Sequence, residues 1–273
     1  MILAVLAGAA AAGAGLALSS AAAGPAADRV GLAGLHVGRG YFAVPCGFSH
    51  RNQDDPIVFP GRRGRSHDHT YFGNTSTDAF STPASLRNAR RTTCRLDADT
   101  AAYWAPTLFV RGRPIEPRGA VVAYVRRTID EVDPFPAGLK VVAGNALARS
   151  PQSLRVTSWS CGLGGERSSS VPACVGAKLG GLLLRVRFPD CWDGRRLDSS
   201  DHKRHMAYSR VGHCPLTHPV EVPSISLVVF YAVTGVSDAE LASGGQFSGH
   251  ADFVNSWHQP TLSALVDRYL NRN

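Results

Sequence analysis

Short apolar runs broken by turn residues set the rhythm of this chain, and long helical stripes are scarce. The stretch 224–233, Ser-Ile-Ser-Leu-Val-Val-Phe-Tyr-Ala-Val, is apolar on both parities, which predicts a strand buried on both faces and central in its sheet. Further strands are predicted at 40–45, 101–110, 113–115, 121–125, 138–143 and 182–189, the last ending at Pro189. Residues 154–161 alternate polar and apolar side chains, the pattern of an antiparallel strand with one wet face. Only near the end does the period change: Leu262, Leu265, Val266, Tyr269 and Leu270 recur at helical spacing, with Thr261 as the expected N-cap. With turn signals about every ten residues, the pattern predicts a mainly β fold, an antiparallel β-sandwich of which a jelly roll is one form. Long disulfide-pinned loops and a C-terminal helix complete it.

Composition changes that picture at the start of the chain. Residues 1–27 hold no charged side chain and run through Leu16-Ala17-Leu18 to Ala21-Ala22-Ala23, which reads as a signal peptide with a small-residue cleavage site. The stretch lacks a basic leader and is poor in large apolar residues, which favours a cleaved peptide over a stable anchor. Residues 28–273 are then expected to form a single extracellular domain, with no membrane span after signal cleavage. Six cysteines in an exported chain, with no CxxC spacing, argue for three disulfides rather than metal thiolates. Six cysteines allow 15 pairings. The sequence-adjacent one, 46–94, 161–174 and 191–214, staples three successive regions, so residues 75–100 and 162–181 are expected as tethered loops.

The formal net charge is +8, and the basic residues are arginines apart from Lys140, Lys178 and Lys203. No nucleic-acid-binding motif accompanies the excess, so no nucleic acid is expected as a partner. A basic exported protein would be drawn to anionic wall polymers or acidic glycans.

Candidate chemistry is concentrated in three places. Residues 45–74 pack one Cys, three His, three Asp and four Gly into thirty positions. Within them, 66–72 reads as a strand bounded by glycines, so His67 and His69 share a face with backbones roughly 6–7 Å apart while Asp68 points away. The Gly- and Arg-rich approach at 59–65 is expected to deliver that pair to a rim. A second cluster, 190–208, gathers Trp192, Asp201 and His205; on one helical turn Asp201 would hydrogen-bond His205 and raise its basicity. The third, 249–257, puts His250 and Asp252 on one face of an extended segment and adds Trp257. Tyr103, Trp104, Trp192 and Trp257 are the candidates for stacking on sugar rings.

The ordered set SHDHTYFGN at 66–74, DTAAYWAPTL at 99–108, CWDGRRLDSSDHKRHMAYS at 191–209, CPLTHPVEVP at 214–223 and GHADFVNSW at 249–257 closely resembles an exported family called domain of unknown function nineteen-ninety-six. The resemblance spans most of 41–270 and implies an extracellular domain, sometimes found beside wall- or carbohydrate-associated modules, without supplying a reaction. Three readings follow. One is a carbohydrate-active enzyme, hydrolase or lyase, acting on an extracellular or cell-wall polysaccharide, with His67, His69, Asp201, His205, His250 and Asp252 as its catalytic set. Another is a metal-dependent hydrolase, with a divalent ion at His67 and His69 and a third ligand from His205 or His250. The last is a non-catalytic wall- or glycan-binding module.

Overall fold

A computed structural model describes residues 35–175, 181–234 and 238–272; the predicted signal peptide lies outside them. Strands are numbered along the chain. One sheet has six strands in the spatial order β1 (His36–Gly38), β2 (Tyr41–Cys46), β8 (Gly119–Val125), β15 (Ser224–Tyr231), β11 (Leu182–Arg187) and β10 (Thr157–Cys161). The other has five: β3 (Phe48–Asn52), β4 (His69–Gly73), β5 (Ala102–Pro106), β17 (His250–Val254) and β9 (Lys140–Gly144). Every neighbouring pair is antiparallel. Two small sheets decorate this body, β13 (Met206–Ala207) with β12 (Cys191–Trp192) and β14 (Val220–Glu221), and β16 (Ala239–Leu241) with β6 (Leu108–Val110) and β7 (Arg113–Pro114).

The two large sheets enclose one core. Val122, Tyr124, Leu184, Ile225 and Leu227 come from the inward face of the six-stranded sheet, and Phe72, Tyr103, Val141 and Phe253 from that of the other. Fully burying side chains of this size is worth about 1.5–3 kcal/mol each, which is why alternation fixes which way each strand faces. β15 is central, between β8 and β11. All three sequence-adjacent disulfides are formed, Cys46–Cys94, Cys161–Cys174 and Cys191–Cys214. Among the described residues no helix is long and apolar enough to cross a membrane.

Several local expectations need correction. β10 begins at Thr157 and has no wet face: four of its five residues are buried, because the loop tied by Cys161–Cys174 folds back and Trp159 exchanges backbone hydrogen bonds with Ser168 at 2.8 Å. The loop expected at 75–100 contains a helix, α1 (Pro83–Ala89), started by a reciprocal Thr82–Ser85 capping box and anchored by buried Leu86. The C-terminal helix, α2 (Gln259–Leu265), continues as a π-helix through Asn271, and its N-cap is His258 rather than Thr261. Thr261 Oγ1 instead bonds the His258 ring at 2.9 Å. Leu262, Leu265, Val266 and Leu270 are buried as the period predicts.

Candidate metal centre on the five-stranded sheet

Alternation that sends Phe72, Tyr103 and Phe253 into the core leaves His69, Tyr71, Trp104, His250 and Asp252 on the opposite face of the same sheet. Register lines them up. Tyr71, Trp104, Asp252 and Val142 stand opposite one another in one cross-strand row, and one step along His69 faces Pro106 while His250 faces Gly144. Gly144 has φ +78°, and a Cβ there would lie 2.9 Å from the His250 Cα, so only glycine lets β9 lie this close. Across the short Pro106 side chain the His69 and His250 rings approach to 5.8 Å between centroids.

Loops roof this face, so the site is not the open rim expected from the glycine-rich approach. β4 starts at His69, later than predicted, and residues 66–68 run up to it as irregular chain. Asp54 holds the roof by accepting from the Gly64 and Ala79 amides, and Asp55 closes a turn by accepting from the Ile57 and Val58 amides at 2.9 Å. Ile57 and Leu86 pack over Tyr71 and Trp104. Asp68 does point away, bonded to Arg51 at 3.2 Å and to Thr107, which leaves His67 on the side of His69 with ring centroids 4.2 Å apart. His69 and Asp252 are 0% and 1% exposed, His250 is 3% exposed, and His67 alone is half-buried, so it marks the way in.

The imidazoles converge through one kind of atom. His69 Nδ1 donates to the Asp54 carbonyl at 2.9 Å and His250 Nδ1 to the Ser248 carbonyl at 2.8 Å. A carbonyl can only accept, so both rings carry their proton on Nδ1 and turn an Nε2 lone pair inward. His67 Nε2 lies 3.1 Å from His250 Nε2, while His69 Nε2 has no partner at all. One nitrogen from each ring falls within 4.8 Å of the others, as do ligand atoms of Asp55, His69 and Asp252. Both oxygens of Asp252 are buried without a hydrogen bond, and so is the Trp104 indole nitrogen.

Charge follows from burial. Desolvation lowers His67 to about 4 and His250 to about 3, with His67 adding to the latter. Burial takes His69 well below its ordinary value, and its two neighbouring imidazoles push the same way. Burial likewise drives the Asp252 carboxyl well above the usual range, with Asp55 contributing, and raises Asp55 itself. Three neutral imidazoles and a proton-holding Asp252 carboxyl are what remains of a charged site when nothing positive sits among them. A divalent cation would reverse the carboxyl shifts and use the imidazoles in the form they already hold.

The other predicted residues lie elsewhere. His205 is buried, with Nε2 on the Lys140 carbonyl at 2.6 Å and Nδ1 on Ser199 Oγ at 2.9 Å. Asp201 does not touch it directly; Ser199 intervenes, and Asp201 binds the Lys203 and Arg204 amides and the Arg204 guanidinium. This pair secures the 198–205 loop against β9. Tyr103 and Trp257 are 0% exposed and spent in the interior, where Trp257 Nε1 donates to the Tyr103 and Tyr124 hydroxyls and Tyr103 bonds Asp99. Trp104 is fully buried beneath the roof, and half-buried Trp192 donates to the Arg196 carbonyl at 2.7 Å. Tyr103, Trp104 and Trp257 are therefore closed to a sugar, and only half-buried Trp192 reaches the surface.

Asp55 and Lys203 complete the surroundings and were not among the predicted site residues. Asp55 was legible as half of the Asp54-Asp55 pair beside the histidines. Lys203 bonds the Gly144 carbonyl and places a cation near Asp252 and His250, a role no local sequence pattern announces. A hollow of about 230 Å³ opens beside it, lined by Val142, Gly144, Gln152, Lys203 and Tyr208 among others. The other three-ligand grouping, Cys46, Cys94 and Asp99, is no metal site, because its sulfurs are joined in a disulfide.

A family model described as domain of unknown function (DUF1996) matches residues 55–257, a span that contains Asp55, all three histidines and Asp252. No curated protein and no solved structure matches the chain.

Proposed function

The chain belongs to the DUF1996 family, whose description names no reaction, and from the chemistry of its site we propose that it is a divalent-metal-dependent hydrolase of extracellular polysaccharide. The observation that carries the reading is the convergence of one ring nitrogen from each of His67, His69 and His250 beside a buried Asp252 carboxyl that no donor reaches. His67, His69 and His250 are the ligands. Imidazole donors in this number suit zinc, and also copper or iron. The 3.1 Å between two Nε2 atoms is close to the roughly 3.3 Å edge of a tetrahedron with ion–nitrogen bonds of about 2.0–2.1 Å. The Asp54 and Ser248 carbonyls act through Nδ1–H to fix ring orientation, the role usually played by groups behind a ligating imidazole.

The ion would supply an acidified water and polarise the bond to be cleaved. Asp252, next to His250 on the same face, is positioned to accept the proton of that water, and Asp55 holds the roof while sharing its charge. Half-buried His67 is the one ligand that substrate can reach from outside, and the hollow beside Lys203 lies on the far side of Gly144 from the histidines. Three disulfides and the charge-free N-terminal stretch support secretion. A stacking-based glycan-binding module is less favoured, since three of the four candidate aromatics, Tyr103, Trp104 and Trp257, are fully buried.

The test is release of saturated reducing ends from purified wall glycans by protein with its native metal, by chelated protein and by chelated protein reloaded with zinc. Activity that vanishes on chelation, returns on reloading and falls at least about a hundredfold in His250→Ala supports the reading. Turnover that survives complete chelation contradicts it, as does no product from any glycan by metal-loaded, folded protein.

A further inference from the structure

The six-stranded sheet has a second face, away from the histidine site, whose small side chains Ser158, Ser226 and Val228 are covered by neighbouring arginines and the disulfide loop. Leu182, Leu184 and Val186 enter the core, so Arg185 and Arg187 project from the outer face of β11. Their neighbours across the sheet are small: Arg187 faces Ser226, which faces Ala123, and Arg185 lies between Ser158 and Val228. None of the six strands contains an aspartate or glutamate. Exposed Arg127 follows the end of β8, and exposed Arg167 sits in the disulfide loop against β10. These four arginines influence one another. Partial desolvation of its inner end first and then Arg187 and Arg167 hold Arg127 below its ordinary value against the pull of Asp190, and burial with Arg167 lowers Arg185.

Compensation is thin among the described residues. Asp190, 3.7 Å from Arg187, is 0% exposed and already bonded to the Ser209 amide and hydroxyl, and Glu166 precedes Arg167 in the exposed loop. Arg187 lies over the Tyr208 ring at 5.1 Å, and its Nε is buried without a partner. Holding like charges together on a carboxylate-free sheet costs stability unless an anion repeatedly arrives.

We infer that this face is a docking surface for an acidic polysaccharide, whose carboxylate or sulfate groups are gripped by Arg127, Arg167, Arg185 and Arg187. Arginine forks match planar oxyanions bidentately, which lysine cannot do. A sheet face with small side chains between cationic side chains suits an extended polymer better than a compact ligand. Single-stranded nucleic acid would need aromatic platforms, which the Arg185 and Arg187 rows lack, and a membrane surface would need an apolar ring around the charges. The inference gives the proposed hydrolase a substrate class, but the binding it predicts does not depend on turnover or on a metal.

Binding of the full chain to polygalacturonate, chondroitin sulfate, a neutral β-glucan, single-stranded DNA and anionic vesicles, by calorimetry or affinity electrophoresis, tests it. Tight binding to either acidic glycan, weakening at least about tenfold between 50 and 200 mM salt, is expected. The double variant Arg127→Gln/Arg185→Gln should lose at least about tenfold affinity with a melting temperature at or above wild type and unchanged metal content. Arg167→Glu, on an exposed loop, should weaken binding as well and guards against a folding defect in the double variant. Equal affinity for the neutral glucan, preference for DNA or vesicles, undiminished binding by folded variants, or no binding at low salt would each overturn the inference. Loss of activity with glycan binding intact would instead count only against the metal-dependent hydrolase.

Discussion

A buried carboxyl that no donor touches is expensive to keep charged, and Asp252 sits in that position between two strands, 1% exposed. Replacing it with asparagine removes a group the metal-free protein must hold protonated. Chelated Asp252→Asn is therefore expected to melt at or above the wild-type temperature while its zinc affinity falls at least about tenfold; a large loss of stability in the chelated variant would mean that the carboxylate is structural. A second buried acid behaves differently. Asp99 accepts from Tyr103 in the core, yet desolvation raises it to about 8. The folded state then binds more protons than the unfolded chain between pH 4 and 8, so the stability Asp99 allows is full below about pH 4 and declines as pH rises to about 8. Urea unfolding at pH 5 and pH 8 should show that decline, and Asp99→Asn should flatten it; an equal slope in the variant would assign the pH dependence elsewhere. At this scale His250 and Asp252 were readable because alternation on a strand is a local rule, whereas His67 joins His69 from irregular chain ahead of β4. That His69 and Asp252 are buried was not, since the roof that covers them comes from residues 53–65 and α1.

Elements hold the site by clamping this roof to the sheet. Leu86 of α1 packs with Ile57, Tyr71 and Trp104 over the outer face of β4 and β5, so Leu86→Ala should cost about 2–5 kcal/mol in chemical denaturation and Thr82→Ala, which removes the cap, about 1 kcal/mol. A Leu86→Ala effect below about 0.5 kcal/mol would show that α1 rides loosely on the sheet. The helix was missed because seven residues are too few to display a period; only the Ser-Thr-Pro start was on view. The π-helical tail and the dry face of β10 share a cause. Each is set by what packs against the element, the loop under Cys161–Cys174 in one case and the core in the other, and local alternation carries no record of it.

For the whole molecule, the polypeptide must bring residue 67 and residue 250 together through a sheet whose order is β3-β4-β5-β17-β9. Strand composition and turn spacing were enough for a mainly antiparallel β fold with sequence-adjacent disulfides. Strand order was out of reach, because pairing depends on contacts between distant segments, and with it the knowledge that the first and third clusters meet while the second instead clamps a loop. Aromatic residues misled for a related reason: Tyr103 and Trp257 hydrogen-bond one another across the core, a use that leaves no trace in a short motif. The central claim is that this convergence exists to hold a cation, and metal analysis of protein purified without a histidine tag tests it most directly. About one equivalent of bound metal per chain, or its uptake after reloading, with loss in His69→Ala, is the predicted result. Less than about a tenth of an equivalent after reloading with zinc, copper, iron and manganese would contradict the account.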